Sequence, residues 1–600
     1  MSFDETRITL RKFLRRPKYR YMAVNRLVPH LPWFILIALS VLLFKERIFA
    51  DSGFYVAQFI NNRFFWIECQ RVVLAISQVL PLSAVWLGLD LKYVLILYSV
   101  SHVLFFYLLF LFVYYILRDR RSGLLIILTQ TVGITFSFFT PMFELYYGVP
   151  LLITFYAIWR LNIRASLVMV ILLILEVLIL LSHPLAFMLF PFLLLFDYRR
   201  GKARRWAVYA MLLFVMAGVI VLKAFTMCPY ETGKLAWQMD FMNNPKIQQL
   251  LDPGFYLTLI TFFGLNYPEV LTALIIVIIM FSYRKDWFRL ALVTLTFLAY
   301  LFLVCSVYTL DRSRYMEQVL FPFVPLVFIP LIYGFPKEPR PGLQNISILL
   351  ISGLIAYRLF MIYNGSNLFV ARVQQMEHLI ESARQMGGSK FIVSEKNIDK
   401  GYTQLNWSYP LETMLLSSLD GSDLTITIVP KEDYYYEGNH VKMGPNDFLF
   451  RRWEIKDHTW LNDTYFHLDP GLYKVMNDST SNQDLDYVSR NLRINVNARS
   501  FYPSMDTVWV DVRIVNRGKE PLRAGNGDQL FLSYFWMKGN DYLDWNGILT
   551  PIETDIVRSL SQDVRVAIPK TKGRLKLKVD IVTKDRMWFG INAQDEVLVY

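Results

Sequence analysis

ADSGFYVAQFINNRFFWIECQR, Ala50 to Arg71, decides how this chain is read. It follows directly on an apolar run, residues 30–49, of the length that crosses a bilayer, about 20 residues. Asp51 stands where that span would leave the hydrocarbon. Lys45, Glu46 and Arg47 lie near the outer end, where long side chains snorkel to water. Residues 53–66 read as a helix lying in the interface, carrying Phe54, Phe59, Phe64, Phe65 and Trp66. Arg63, Glu68 and Arg71 close the stretch as a basic–acidic cluster. Ionisable groups at membrane depth are expensive and tend to be functional, so Asp51 is the candidate chemical centre.

The chain around it has 600 residues, 54% hydrophobic and only 18% charged. The apolar residues crowd into positions 1–360 in bilayer-length runs. This is the pattern of a polytopic α-helical membrane protein with a water-soluble C-terminal portion. A secretory signal peptide is a poor account of the start, because no small-residue cleavage site follows the first apolar run. The net charge of +13 does not imply nucleic acid, because the basic residues sit at span ends, as the positive-inside bias requires. Residues 1–29 set Arg7, Arg11, Lys12, Arg15, Arg16, Lys18, Arg20 and Arg26 against Asp4 and Glu5, the mark of a cytoplasmic arm beside anionic lipid. Cys69, Cys228 and Cys305 show no metal-ligand spacing and leave room for one disulfide outside the membrane.

Charge parity orders the spans. Arg118, Arg120 and Arg121 should be cytoplasmic and Asp51 outside, so an odd number of crossings separates them. The simplest solution makes 72–88, interrupted by Pro81, a non-spanning or half-inserted helix, and 92–117 the second span. Alternation then gives about eleven spans between residues 30 and 363. The N-terminus is in and the C-terminus out, on the side of Asp51. After Asn364, residues 364–485 read as a small extracytoplasmic α/β layer: an amphipathic helix over 366–386, strands at 390–393 and 424–429, a helix near 411–419. No Gly-rich phosphate loop occurs there. Residues 486–600 alternate apolar with polar at 492–496, 508–515, 529–536, 563–568 and 575–582, as in an immunoglobulin-like β-sandwich, without the Cys–Trp–Cys core of antibody domains.

The outer loops hold the groups fit for chemistry. A carboxylate at Asp51 takes a proton from an acceptor hydroxyl, ligates a divalent metal, or simply caps a helix in water. Glu144, in the next outer loop, is the candidate second acid, and Glu68 a weaker one. Arg312 and Arg314 precede an apolar, proline-containing span and suit a phosphate, because a guanidinium donates two hydrogen bonds at once. Arg63, Arg71 and Lys223 are candidate helpers, and His183, at a turn before Pro184, a candidate donor or turn histidine. Among the outer tryptophans, Trp407, Trp536 and Trp545 are of a kind that stacks on sugars.

DSGFY at 51–55, with Arg71, Gln78, Pro81 and Leu82 at their spacing, resembles the first outer loop of GT-C type integral-membrane glycosyltransferases, nearest to bacterial members with a DS-x-Y-Y start. The resemblance covers 1–363 as topology and about 51–82 as motif. It implies a polyprenyl-phosphate-linked sugar as donor, with the acid after the first span as base or metal ligand. Many members carry two adjacent acids there, whereas Ser52 follows Asp51 here. Arg314 and Tyr315 resemble a similarly placed Arg-Tyr in that superfamily, and LFLSYFW at 530–536 resembles a strand of sandwich domains fused to bacterial glycosyltransferases, with Phe535 in place of a histidine.

The expectation is a glycosyltransferase of the bacterial inner membrane with its C-terminal domains in the periplasm. Asp51 and Glu144 are catalytic, Arg312, Arg314 and Arg71 bind the donor phosphate, and His183 and Glu68 assist. The acceptor is a lipid, glycan or protein. The alternative is a non-enzymatic transport or assembly component of envelope polysaccharide export.

Overall fold

Long runs of Leu, Ile, Val and Phe become helices, because a helix satisfies its own backbone where water is absent. The computed structural model describes residues 27–161, 166–198, 206–229, 231–233, 253–307, 313–335, 341–394, 398, 405–476, 492–498, 506–518, 522, 530–539, 541–544, 547–552, 554, 556–583 and 593–599. They belong to two compact units, Met1–Met476 and Asn477–Tyr600. The basic arm up to Arg26, and Arg312, lie outside the described residues.

Among the described residues, five helices are long and apolar enough to cross a membrane: Leu91–Ile116, Trp206–Phe225, Trp287–Cys305, Glu317–Gly334 and Gln344–Met386. A sixth arises if Pro253–Gly264 and Pro268–Tyr283, bent by 92° at their junction, count as one broken span. This suits a membrane protein but not the eleven spans expected from charge parity. The difference lies in helix length. Val28–Leu42, Leu74–Trp86, Ser166–Ser182 and Ala186–Tyr198 are apolar but only 10–17 residues long, short of the roughly 20 residues needed to span upright. The apolar run at 122–139 divides into a helix that ends at Thr129 and a short 3-10 turn, Ser137–Phe139.

The stretch at 50–71 is also placed differently from the surface helix expected. Its helix, Asp51–Asn62, is buried from Ser52 to Ile60, with Phe54 and Phe59 inside rather than at an interface. Gly53 makes this packing feasible, since a Cβ there would lie 2.4 Å from the Ile48 carbonyl oxygen and 2.8 Å from Leu411 Cδ1. The chain enters the helix through Ala50, fully buried at φ 50° and ψ −114°, a conformation that costs a non-glycine residue free energy. The Ala50 N–H donates to Glu412 Oε1 at 2.9 Å, and Glu412 is held by Arg372 at 3.0 Å.

Leu411 and Glu412 belong to the α/β layer, which lies in the same unit as the helices. The expected eleventh span and the amphipathic helix after it are one helix, Pro341–Met386. Three parallel strands follow in the order β2–β1–β5: β1 Lys390–Val393, β2 Thr427–Pro430 and β5 Lys474–Val475. A hairpin, β3 Asp447–Arg451 and β4 Glu454–Asp457, places Phe450 against Phe54 with ring centroids 5.9 Å apart.

The second unit is a sandwich. One sheet runs β11–β7–β6 (Ser559–Ala567, Thr507–Asn516, Leu492–Asn497). The other runs β10–β8–β12–β13 (Thr550–Pro551, Leu530–Lys538, Gly573–Thr583, Ala593–Val599), with β9 (Asp541–Asp544) also on β8. Alternate residues such as Val510, Val512, Ile514, Val564, Leu577 and Val579 form its own core. Trp536 is in that core, its indole N–H donating to the Ala567 carbonyl at 2.9 Å, so it is no sugar platform. Trp545 lies outside the described residues.

Candidate functional site

Asp51 is the first residue of its helix, half-buried, in the turn where free backbone N–H groups favour negative charge. One turn on, the Tyr55 phenol is buried within electrostatic reach of Glu144, Glu68, Arg71 and Asp51. Its hydroxyl lies 3.5 Å from Glu68 Oε2, at the limit of a hydrogen bond. Burial first, then the neighbouring carboxylates, raise its pKa well above the ordinary value, so Tyr55 stays a neutral donor. Burial likewise raises the Glu68 carboxyl, which Arg451 partly offsets. The Arg451 guanidinium sits 3.9 Å from the Phe54 ring centroid and pairs with Glu454 at 2.5 Å.

Beside this lies a buried charge network. Arg71 Nη1 reaches Glu144 Oε1 at 2.6 Å, and Nη2 reaches Glu231 Oε1 at 3.2 Å. Burial alone would lower the Arg71 pKa, but Glu144 and Glu231 more than offset it and raise it. Glu231 also takes Lys223 Nζ at 3.2 Å, and Lys223 donates to the Cys69 carbonyl at 2.8 Å. Cys69 and Cys228 form a disulfide. Across the same junction the Gln70 amide donates to the Thr226 backbone carbonyl at 2.5 Å and its carbonyl oxygen accepts from the Thr226 hydroxyl at 3.0 Å. The turn that presents Arg71 holds Cys69 and Gln70 at φ 49° and 60°, and these cross-links pay for its left-handed backbone. His183 is buried nearby, its Nδ1 accepting the Leu185 N–H at 3.1 Å. Burial, then Arg71 and Lys223, push its pKa well below the ordinary value, so the imidazole is neutral at pH 7.

Of the residues picked from the sequence, Asp51, Glu68, Arg71 and Glu144 come together around Tyr55, and His183 feels the same Arg71. Glu144 faces Arg71 as its ion-pair partner. Arg63 is elsewhere, donating to Asn462 at 2.9 Å. Arg314 lies in the Ser313–Leu320 helix, its side chain outside the described part. Trp407 packs against the exposed Trp453, centroids 5.6 Å apart. The only described metal-like grouping, Cys69, Cys228 and Glu231, has both sulfurs in the disulfide and offers no thiolate.

Sequence reasoning missed Glu231, Tyr55, Arg451 and the cysteine pairing. The signal for Glu231 was there: both Cys69 and Cys228 fall on the outer side by charge parity, and joining them brings 228–231 to Arg71. Arg451 carried no such signal, because it arrives from nearly 400 residues away. A search of family models with this sequence gives no match, and comparison with curated proteins gives none at a significant level.

Proposed function

We propose that this chain is a GT-C type glycosyltransferase that moves a sugar from a polyprenyl phosphate to an acceptor hydroxyl outside the cytoplasm. The observation that carries the reading is the buried Arg71–Glu144 ion pair next to the helix that Asp51 begins, with Glu68 at 3.5 Å from the hydroxyl of the buried Tyr55 on that helix. Asp51 takes the proton of the acceptor hydroxyl as its oxygen attacks the anomeric carbon. The bond from that carbon to the phosphate oxygen breaks, with inversion, and polyprenyl phosphate leaves. Arg312 and Arg314 hold the phosphate. Arg71, its fork occupied by two carboxylates, positions Glu144 rather than serving the phosphate alone. The Cys69–Cys228 disulfide supports placing this face in an oxidising compartment such as the periplasm.

Asp51→Asn should lower transfer by about 10²–10⁴, the usual worth of a general base, with expression and membrane insertion unchanged. The readout is a mass-spectrometric comparison of envelope glycolipids and glycoproteins. Full activity in that variant would remove Asp51 from the chemistry.

One observation favours the transport alternative. Glu176, within the Ser166–Ser182 helix, is fully buried and neither carboxylate oxygen has a hydrogen-bond partner among the described residues. A lone acid inside a membrane helix is a common element of ion-coupled transporters. If Glu176→Gln stops glycan export while in vitro sugar transfer is absent in the wild type, the transport reading replaces the enzyme.

A further inference from the structure

Arg47, one turn before Asp51, is buried to 1% exposure. Its Nη1 donates to the Phe138 carbonyl at 2.5 Å and its Nη2 to the Ser99 carbonyl at 3.2 Å. The Phe138 ring lies 4.0 Å from the guanidinium carbon. These partners carry partial charge, and among the described residues Arg47 has no carboxylate partner. A buried cation without a counter-charge is strongly unfavourable. The other buried arginines here solve the problem with an acid: Arg358 pairs with Glu269, and Arg372 with Glu412.

Arg47 lines a small cavity with His102, Gln130, Ser137 and Tyr146 among apolar walls such as Leu36 and Phe106. Three buried nitrogens of that lining have no hydrogen-bond partner among the described residues: Arg47 Nε, Gln130 Nε2 and His102 Nε2. His102 Nδ1 is engaged by the Tyr147 hydroxyl. When that hydroxyl donates, the imidazole proton resides on Nε2, which makes that nitrogen a donor into the cavity. The cavity, about 20 Å³, has room for at least one water-sized occupant, since a water needs about 10–15 Å³. A monatomic anion needs less of that space than a tetrahedral oxyanion. A water would accept hydrogen bonds but leave the charge of Arg47 unbalanced.

We infer that this cavity is a binding site for a single halide ion, chloride in vivo, which supplies the missing counter-charge to Arg47 and fixes the segment that leads into Asp51. The inference is independent of the transferase reading. It predicts that the full-length protein in detergent unfolds at a higher Tm in chloride or bromide than in gluconate or sulfate at equal ionic strength. The gain should grow with the logarithm of halide concentration, by roughly 1–3 °C per tenfold. Gln130→Glu places a tethered carboxylate in the cavity and should make the Tm independent of halide while keeping it near the wild-type chloride value. Arg47→Met should abolish the halide dependence at a lower Tm. Crystals grown in bromide should show an anomalous peak between Arg47, His102 and Gln130. Equal Tm for the wild type in chloride and gluconate, or a halide response that survives in Gln130→Glu, would overturn the assignment and leave the cavity as a water site.

Discussion

Arg71 shows how much of the site depends on one side chain. Its guanidinium is the shared partner of Glu144 and Glu231, and all three groups are nearly buried. Removing one partner of a buried pair costs about 3–5 kcal/mol, because the other charge stays without compensation. Arg71→Met should therefore lower the unfolding free energy by about that amount, and adding Glu144→Gln should restore part of it. An additive double variant would mean that the two side chains do not interact. His183 gives a pH signature. Its native pKa is depressed by burial and by Arg71 and Lys223, against about 6.5 when unfolded. At high pH both states are neutral and the group contributes nothing. As pH falls below about 6.5 the unfolded chain takes up a proton that the native state refuses, so stability drops, by at most about 1.4 kcal/mol per pH unit. His183→Gln, which still offers an acceptor to Leu185, should flatten the fall between about pH 6.5 and 5 by close to one proton. An unchanged slope would show that His183 titrates normally.

At the scale of elements, two features hold the site: the start of the Asp51–Asn62 helix and the disulfide junction. The helix start is tight, and a methyl at residue 53 would meet the Ile48 carbonyl as well as the Leu411 side chain. Gly53→Ala should cost about 1–3 kcal/mol, the range for overpacking, and should disturb the approach of Leu411 seen here. A variant as stable as the wild type would mean that the helix can shift at no cost. The junction ties residues 69–71 to 223–231 by the disulfide, by Gln70–Thr226 and by Arg71–Glu231. Cys69→Ser with Cys228→Ser should cost about 2–4 kcal/mol. It should also loosen Arg71, which hydrogen exchange of the 69–71 amides would report. What the sequence reveals differs between these elements. Period-two alternation predicts strands at 492–496 and 575–582, and they stand as β6 and β12. A strand's face pattern is local, so it can be read from its own residues. The helix expected over 53–66 is legible for the same reason, although it begins at Asp51 and ends at Asn62, and of the Arg63, Glu68 and Arg71 cluster Arg63 turns away to Asn462. The burial of Phe54 and Phe59 is not, because it depends on Leu411 and Phe450, distant residues that cover what looks like a membrane-facing surface. The span count fails likewise, since hydropathy marks apolar runs but not where Thr129 or Leu42 ends a helix.

For the whole molecule, the apolar surface and the separate cores carry the argument. Large side chains remain exposed on the long helices, among them Leu213, Phe214, Val221 and Leu222 on Trp206–Phe225, and Leu349 and Leu350 on Pro341–Met386. In water such surface would drive association, whereas in a bilayer it faces lipid at no cost. The second unit is of another kind, with polar residues between its inward-facing strand positions and a core drawn from its own strands. A core of that size, on about 120 residues, suffices for independent folding with the usual marginal stability of about 5–15 kcal/mol. Residues 477–600 expressed alone should therefore be soluble without detergent, unfold in one cooperative step and give a dispersed amide NMR spectrum. Residues 1–476 should still require detergent and retain the disulfide, because every partner of Asp51, Tyr55 and Arg71 named above lies within them. If the reading of the site is right, that larger fragment also contains every residue assigned to the chemistry. Activity lost from an otherwise folded 1–476 would then place acceptor recognition, rather than the displacement step, in the sandwich. A fragment 477–600 that stays unfolded would refute the separate core from which this division is drawn.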